Sequence, residues 1–545
     1  MLNNSLIPSP TAAVTGQGSY QLPSSGVIGY SHAPLAEIAE YLAAELAPTV
    51  IAKLDGQVSE PSNLINLEIL GADAELSSLP ASAGVPAGGQ SQQSEAYGLE
   101  ITERGIRIWA LTEAGIFYGV VSLILMVQTS ENGQLNCLRI VDNPRFAWRG
   151  FSLDVARTFF TVEQVKSVID MIAKYKFNVL HMHLSDDQGW RLEIANWPKL
   201  TEIGGQGAAA GRRGGFYTAA EFADIVAHAA ARHIALVPEL DMPGHLTAAF
   251  ISYPELANDG WQPPNAENPF SIGYLDPAKP LTWQFVSDVF AAVATVTPGA
   301  YLHLGGDEAF GMPIELHAAF VTRAIAEAEK VGKKIIGWQE IARGQVNSNT
   351  VVEHWIDPVE VASMMDSEEL AAMIPPAMLE PMKAIFAEAV HDVKRAVDQG
   401  AWVLLAPTSG LYLDRKYSEA SVNSSQAETQ ARVGLPFYKP KTVRETFEWL
   451  PEDVEMHGAS DRIAGVEAVI WCETVNDFSD LQFLILPRLP GIAERAWSRN
   501  AGTWGEHKDL LAAHSKIWRK ANWNYFASEL IAWPTADLDI TSNND

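Results

Sequence analysis

From Arg149 onward, short apolar segments alternate with amphipathic helical stretches, and this alternation restricts the fold more than any other feature of the chain. Eight segments read as strands: Gly150–Val155, Asn178–His183, Ile234–Leu240, Tyr301–Gly305, Lys334–Gly337, Val351–Trp355, Trp402–Ala406 and Gly465–Trp471. Such runs suit parallel strands buried on both faces, with helices as the crossovers. Eight of them over roughly 350 residues predict a (β/α)8 TIM barrel with insertions. That fold carries its working groups at the C-terminal strand ends, so polar residues should gather there.

They gather at every end. Asp154 and Arg157 follow the first strand, and Ser185-Asp186-Asp187-Gln188 the second. The third runs into Glu239-Leu240-Asp241-Met242-Pro243-Gly244-His245, and the fourth into Gly305-Gly306-Asp307-Glu308. Trp338 and Glu340 follow the fifth, Trp355 ends the sixth, Tyr412 and Asp414 follow the seventh, and Trp471-Cys472-Glu473 close the eighth. Asp307 and Glu308 repel each other, and environments that separate two neighbouring carboxyl pKa values create an acid and a base or charge stabiliser. A helix N-cap would also suit an acidic pair. Carboxylates, one Arg, one His and at least three Trp suggest a carbohydrate site, since indole faces stack on sugar rings while charged groups take hydroxyl hydrogen bonds.

Composition narrows the partners. Of 545 residues, 38 are Lys or Arg and 66 are Asp or Glu, giving a net charge of −28. That balance argues against nucleic acid or an anionic membrane as partner. Two cysteines, Cys137 and Cys472, form no disulfide framework. No apolar run reaches the ~20 residues of a membrane span, and Met1 to Gln17 shows no signal-peptide pattern, so a cytoplasmic enzyme is expected, while a secreted or periplasmic one with its signal removed would read the same.

Residues 1–143 read as a separate small α/β domain, with Pro144 at the boundary and the barrel domain over 144–545. Pro34 to Leu46 has helical spacing, Asn63 to Leu70 alternates as a strand, and Leu79 to Ser94 is a loop. Tyr97 to Ile101 and Gly105 to Ala110 are a strand pair, followed by a helix over Glu113 to Val127.

The strand-end motifs resemble those of the family 20 glycoside hydrolases, the β-N-acetylhexosaminidases. The matching segments include Arg157-Thr158-Phe159-Phe160, His181-Met182-His183-Leu184-Ser185-Asp186-Asp187, Pro238-Glu239-Leu240-Asp241-Met242-Pro243-Gly244-His245 and His303-Leu304-Gly305-Gly306-Asp307-Glu308. Gly337-Trp338-Gln339-Glu340, Tyr412-Leu413-Asp414 and Gly465-Val466-Glu467-Ala468 through Glu473 continue the order. The resemblance covers about 149 to 500 and extends into the first domain through Tyr97-Gly98-Leu99-Glu100-Ile101 and Ala114-Gly115-Ile116-Phe117-Tyr118-Gly119.

It implies an exo-acting, retaining enzyme that removes terminal N-acetyl-β-D-hexosamine from oligosaccharides or glycoconjugates without cofactor or metal. Family 20 is an exception to the two-carboxylate scheme and uses substrate assistance through an oxazolinium ion. By resemblance Glu308 is the acid/base, Asp307 orients the acetamide, and His245 with Asp186 supports Glu308. Tyr412 bonds the acetamide carbonyl, Trp338, Trp355 and Trp471 wall the acetamide pocket, and Arg157, Asp414 and Glu473 bind sugar hydroxyls. Repulsion from Asp307 is expected to help keep Glu308 protonated. From the residues alone, Arg157 could instead pair with Asp154.

Other readings make different demands. A lacto-N-biosidase is the alternative within the family. A metal-dependent barrel hydrolase would use His181 and His183, which face the same way on one strand; barrel-interior packing and hydrogen bonding is the expected role. A non-enzymatic carbohydrate-binding barrel would have lost the acid. The segment 357–400 is longer than a common connection and holds five of the 12 Met. It is expected to form a helix over Pro381 to Gln399, closed by Gly400, and a second over Val359 to Met378. Its place is over the site, against a second subunit in a homodimer, or on the barrel flank.

Overall fold

The computed structural model describes residues 6–23, 25–46, 51–55, 65–87, 95–265, 272–374 and 376–535. The predicted strands at 150–155, 178–183, 234–240, 301–305, 334–337, 351–355, 402–406 and 465–471 all form. They are Trp148–Asp154, Val179–His183, Ala235–Glu239, Tyr301–His303, Lys334–Trp338, Val351–His354, Trp402–Leu405 and Ile463–Ile470. Parallel pairing closes them into a barrel in chain order. Polar caps set where the crossover helices begin. Thr161 with Gln164, and Thr218 with Glu221, form reciprocal capping boxes at the helices after the first strand and before the third.

Register aligns Asp154, His183, Glu239 and His303 at one level of the barrel. Toward the other end of the barrel, Val179, Val237, Tyr301, Ile336, Val351 and Leu404 form one buried apolar cluster. Gly150 makes room for the inward Glu467, because a Cβ there would meet Glu467 Oε2 at 1.9 Å.

The N-terminal residues form a seven-stranded mixed sheet, in which Tyr97–Thr102 and Gly105–Ala110 pair antiparallel as expected. The helix Glu113–Thr129 runs two residues past the expected end and is buried on nearly every side, between its own sheet and the barrel's helices. The first expected helix begins as a 3-10 turn, Ala33–Leu35, before Ala36–Leu46. The expected strand over Asn63 to Leu70 is Ile65–Ile69; residues 63 and 64, and residues 88–94 of the expected loop, lie outside the described residues.

Asp142 ties the sheet to the barrel. Its carboxylate accepts bonds from Tyr97 Oη (2.8 Å), Trp497 Nε1 (2.9 Å) and the buried Lys176 Nζ (3.2 Å). Removing it leaves the Lys176 cation unpaired among rings, and breaking a buried pair typically costs about 3–5 kcal/mol. Asp142→Ala is therefore expected to lower the thermal midpoint sharply, and an unchanged midpoint would show that this junction carries no stability.

Residues 357–400 depart from the expected two helices. Among the described residues four helices form: Pro358–Met365, Glu368–Met373, Pro376–Ala389 and Asp392–Asp398. Ser367 breaks the first expected helix by capping Leu370 N with its hydroxyl (3.1 Å). Pro381 lies inside a helix rather than at its start. That helix ends at Ala389, whose carbonyl accepts a bond from Gln339 Nε2 (2.9 Å), and Gly400 follows the last helix in a left-handed conformation (φ 82).

Candidate active site

The strand ends surround a cavity of about 510 Å³. Its floor is a buried network of three histidines and three glutamates. His181 pairs with Glu467 Oε1 (2.8 Å) and Glu239 Oε2 (3.0 Å), and His303 with Glu239 Oε1 (3.1 Å) and Glu353 Oε2 (3.2 Å). His183 spans Glu239 and Asp186. Burial opposes a charged imidazole, but Glu239 and Glu467 hold His181 well above its ordinary value. His181, Glu239 and His303 could present three atoms to a metal ion. Both ring nitrogens of His181, His183 and His303 are engaged with carboxylates, the interior hydrogen-bonding role expected of His181 and His183.

Above the floor, Trp338 donates its indole N–H to Glu239 Oε1 (2.8 Å), and Trp355 donates to Glu340 Oε2 (3.1 Å). These bonds fix the two rings. Trp471 lies 5.7 Å from Trp338 and meets Tyr412 edge-on at 6.2 Å, between centroids. The four rings form one aromatic enclosure, open to the cavity.

Asp307 and Glu308 meet this enclosure from beyond the fourth strand, which ends at His303. The chain then turns through left-handed Gly305, Gly306 and Glu308 (φ 73, 97 and 41). Only glycine fits at 305, where a Cβ would lie 1.8 Å from Asp241 Oδ1. Left-handed backbone at a residue such as Glu308 costs on the order of 1–3 kcal/mol, and such strain clusters at functional sites. The two carboxyl groups are thus placed by a turn and not by strand alternation.

His245, itself left-handed (φ 52), lies between two acidic groups. Its Nδ1 is 3.4 Å from Asp186 Oδ1, and its Nε2 is 3.5 Å from Glu308 Oε2 and 3.8 Å from Asp307 Oδ2. These are ion-pair distances, longer than short hydrogen bonds. Asp186 holds the imidazole well above its ordinary value despite burial. Burial would also push Asp186 up, yet Arg157 and His245 keep it well below the usual carboxylate range. Burial and then Glu308 push the Asp307 carboxyl up, against the pull of His245. Asp241 shares this pressure, raised by burial and by Asp307.

Arg157 binds Asp186 Oδ2 (2.6 Å) and Asp154 Oδ2 (3.4 Å), so the pairing with Asp154 exists beside a second one. It also stacks on Trp471 at 4.9 Å. Several buried acceptors lack a hydrogen-bond donor among the described residues: Asp307 Oδ1, both Asp414 oxygens and Glu473 Oε2. Unsatisfied buried acceptors are rare in native structures, and a polyhydroxylated ligand with an amide N–H would satisfy them.

Comparison with known proteins agrees with this geometry. The family model "Glycosyl hydrolase family 20, catalytic domain" matches residues 146–315 and 384–500, and "Glycosyl hydrolase family 20, domain 2" matches residues 3–143. The chain belongs to glycosyl hydrolase family 20. It is 33% identical over 535 residues to a beta-N-acetylhexosaminidase of Cellulomonas fimi, covering 97% of each chain. It also superposes on the Streptomyces plicatus N-acetyl-beta-hexosaminidase in complex with Thio-NAglucal, with TM-score 0.79 and 32% identity over 98% of both chains. A mutant of a Streptomyces plicatus beta-hexosaminidase in complex with product GlcNAc matches with TM-score 0.78 and 32% identity, over 97% of this chain and 98% of that one.

All eleven residues singled out in the sequence gather at one end of this family 20 barrel, and ten of them line the cavity. Asp414, fully buried next to Glu473, has its carboxyl raised well above the usual range by burial and by that neighbour. No role was expected of Asp241, Glu239 or Glu340, although each stands at a strand end. Alternation around Leu240 turns Glu239 and Asp241 to the same side. Glu340 is fully enclosed, and burial raises its carboxyl to about 8.

Proposed function

We infer that the chain is an exo-acting, retaining β-N-acetylhexosaminidase that hydrolyses terminal N-acetylglucosamine residues by substrate assistance. The observation that carries this reading is the unpartnered, buried Asp307 Oδ1 beside an aromatic enclosure, with Glu308 at its side. An acetamide fits that arrangement: its N–H bonds Asp307, its carbonyl bonds Tyr412, and its methyl sits among Trp338, Trp355 and Trp471. The carbonyl oxygen is then directed at C1.

In the first step that oxygen forms a bond to C1 as the bond to the leaving oxygen breaks, and Glu308 donates its proton to the leaving oxygen. The oxazolinium cation is held by anionic Asp307. In the second step water attacks C1, Glu308 takes its proton, and the acetamide is regenerated. Two inversions give net retention. The His245 imidazolium, held by Asp186, lowers the cost of the Glu308 carboxylate formed between the steps. Arg157, Asp414 and Glu473 take the sugar hydroxyls. The same pocket is proposed to accept the galacto epimer, since the acetamide lies remote from C4.

A plain β-glucoside supplies neither the nucleophile nor the group that fills the enclosure, and leaves Asp307 and Tyr412 unpaired in a dry site. N-acetyl-β-glucosaminides are therefore expected to release the β-anomer first, seen by proton NMR, while β-glucosides turn over negligibly. Equal rates on both, or the α-anomer first, would overturn this reading.

A further inference from the structure

The cavity has two chemically distinct sides. Its charged groups come from the ends of strands one to four and eight. The other side is apolar, and the helices of 357–400 supply much of it through Met364, Leu370, Ile374, Met382 and Phe386. Among the described residues lining that side, which also include Leu435 and Phe437, none is charged.

This side is a fixed wall. Glu360, on the first of these helices, forms two bonds to Arg415 (2.7 and 2.8 Å) after strand seven. Arg343, after strand five, holds Asp392 (2.7 Å). Phe386 meets Trp355 edge-on, with centroids 6.0 Å apart. Met364, Met382 and Phe386 are buried in one cluster with Trp338, Trp355 and Tyr412.

The wall extends to the side where the leaving group departs. Phe310 packs against the same cluster and stands two residues beyond Glu308, with its amide N–H bonded to the Glu308 carbonyl (2.5 Å). A sugar in the leaving position would press hydroxyls against methionine and phenylalanine side chains that offer no partner, and unpaired buried hydroxyls are costly. A hydrocarbon there gains by burial instead.

We propose that the segment 357–400 builds an aglycone site for an apolar leaving group, an alkyl chain β-linked to N-acetylhexosamine. This rests on the glycosidase reading above. Methyl, n-butyl and n-octyl N-acetyl-β-D-glucosaminides have leaving alcohols of similar basicity, so the series isolates binding at the wall.

With the full chain, kcat/KM is expected to rise along this series. Complete burial would give about fourfold per methylene, and partial burial still at least about tenfold overall. The octyl glycoside should also exceed N,N′-diacetylchitobiose. Leu370→Ser combined with Ile374→Ser should reduce the octyl-to-methyl ratio, an internal comparison that does not depend on how much of the variant folds. A flat series, or a preference for chitobiose in the unaltered chain, would overturn the proposal without any variant. A rate gain with an N-butanoyl methyl glycoside beside a flat alkyl series would assign the wall to the acyl group and equally overturn it. Turnover of none of these substrates would remove the hexosaminidase reading, and the aglycone site with it.

Discussion

Glu308→Gln is expected to lower kcat by about 10²–10⁴-fold on substrates with poor leaving groups, the range for loss of a general acid. Glutamine preserves the volume and the left-handed backbone at φ 41, and it leaves His245, 3.5 Å away, in place. It cannot deliver a proton to the departing oxygen. Binding should survive, because the aromatic enclosure and the unpartnered acceptors of Asp414 and Glu473 belong to other strand ends. An oxazoline-like inhibitor is therefore expected to bind the variant with little change, and aryl glycosides that need less protonation should lose less rate. Near wild-type kcat on a poor leaving group would remove Glu308 from the role of acid.

Asp307→Ala acts on the nucleophile. Positioning can contribute ~7–11 kcal/mol in a well-oriented intramolecular reaction, and small misplacements already cost about 10²-fold, so kcat on 2-acetamido substrates should fall by roughly that factor or more. The wild-type pH profile carries a related signature. Asp307 must be ionised to hold the amide N–H and the developing cation, and burial with Glu308 raises its carboxyl above the ordinary aspartate range. kcat/KM should then fall as pH drops through a value above that of an ordinary aspartate. Asp307→Ala should lose this limb along with most of its activity. Unchanged kcat in Asp307→Ala would exclude substrate assistance through this residue.

Much of the barrel was legible because its strands are buried on both faces. Segments such as Ile234–Leu240 and Trp402–Ala406 are nearly continuous apolar runs, and polar residues gather at and beyond their C-terminal ends. The edge strand Ala12–Gln21 escaped notice because most of its side chains are exposed and its sequence is small and polar. The helices of 357–400 were misread where local polar groups compete with helical spacing, as Ser367 does by capping and Gln339 by taking the Ala389 carbonyl. The identity of the site residues, and the support of Glu308 by His245 with Asp186, came with the family resemblance, but the geometry that joins them was not legible in the residues. That His245 spans Asp186 and Glu308, and that burial acts on Asp307, depends on turns at positions 244–245 and 305–308 that no periodicity encodes.

Attack of the substrate's own acetamide oxygen on C1 makes the rate depend on that oxygen's nucleophilicity, which fluorination of the acetamide lowers. Fluorine weakens the carbonyl nucleophile step by step while adding little volume to the group enclosed by Trp338, Trp355 and Trp471. Across N-acetyl, N-fluoroacetyl, N-difluoroacetyl and N-trifluoroacetyl β-glucosaminides with one leaving group, kcat/KM should fall steeply with each fluorine. A flat series would place the nucleophile on the protein or on water and rule out attack by the acetamide.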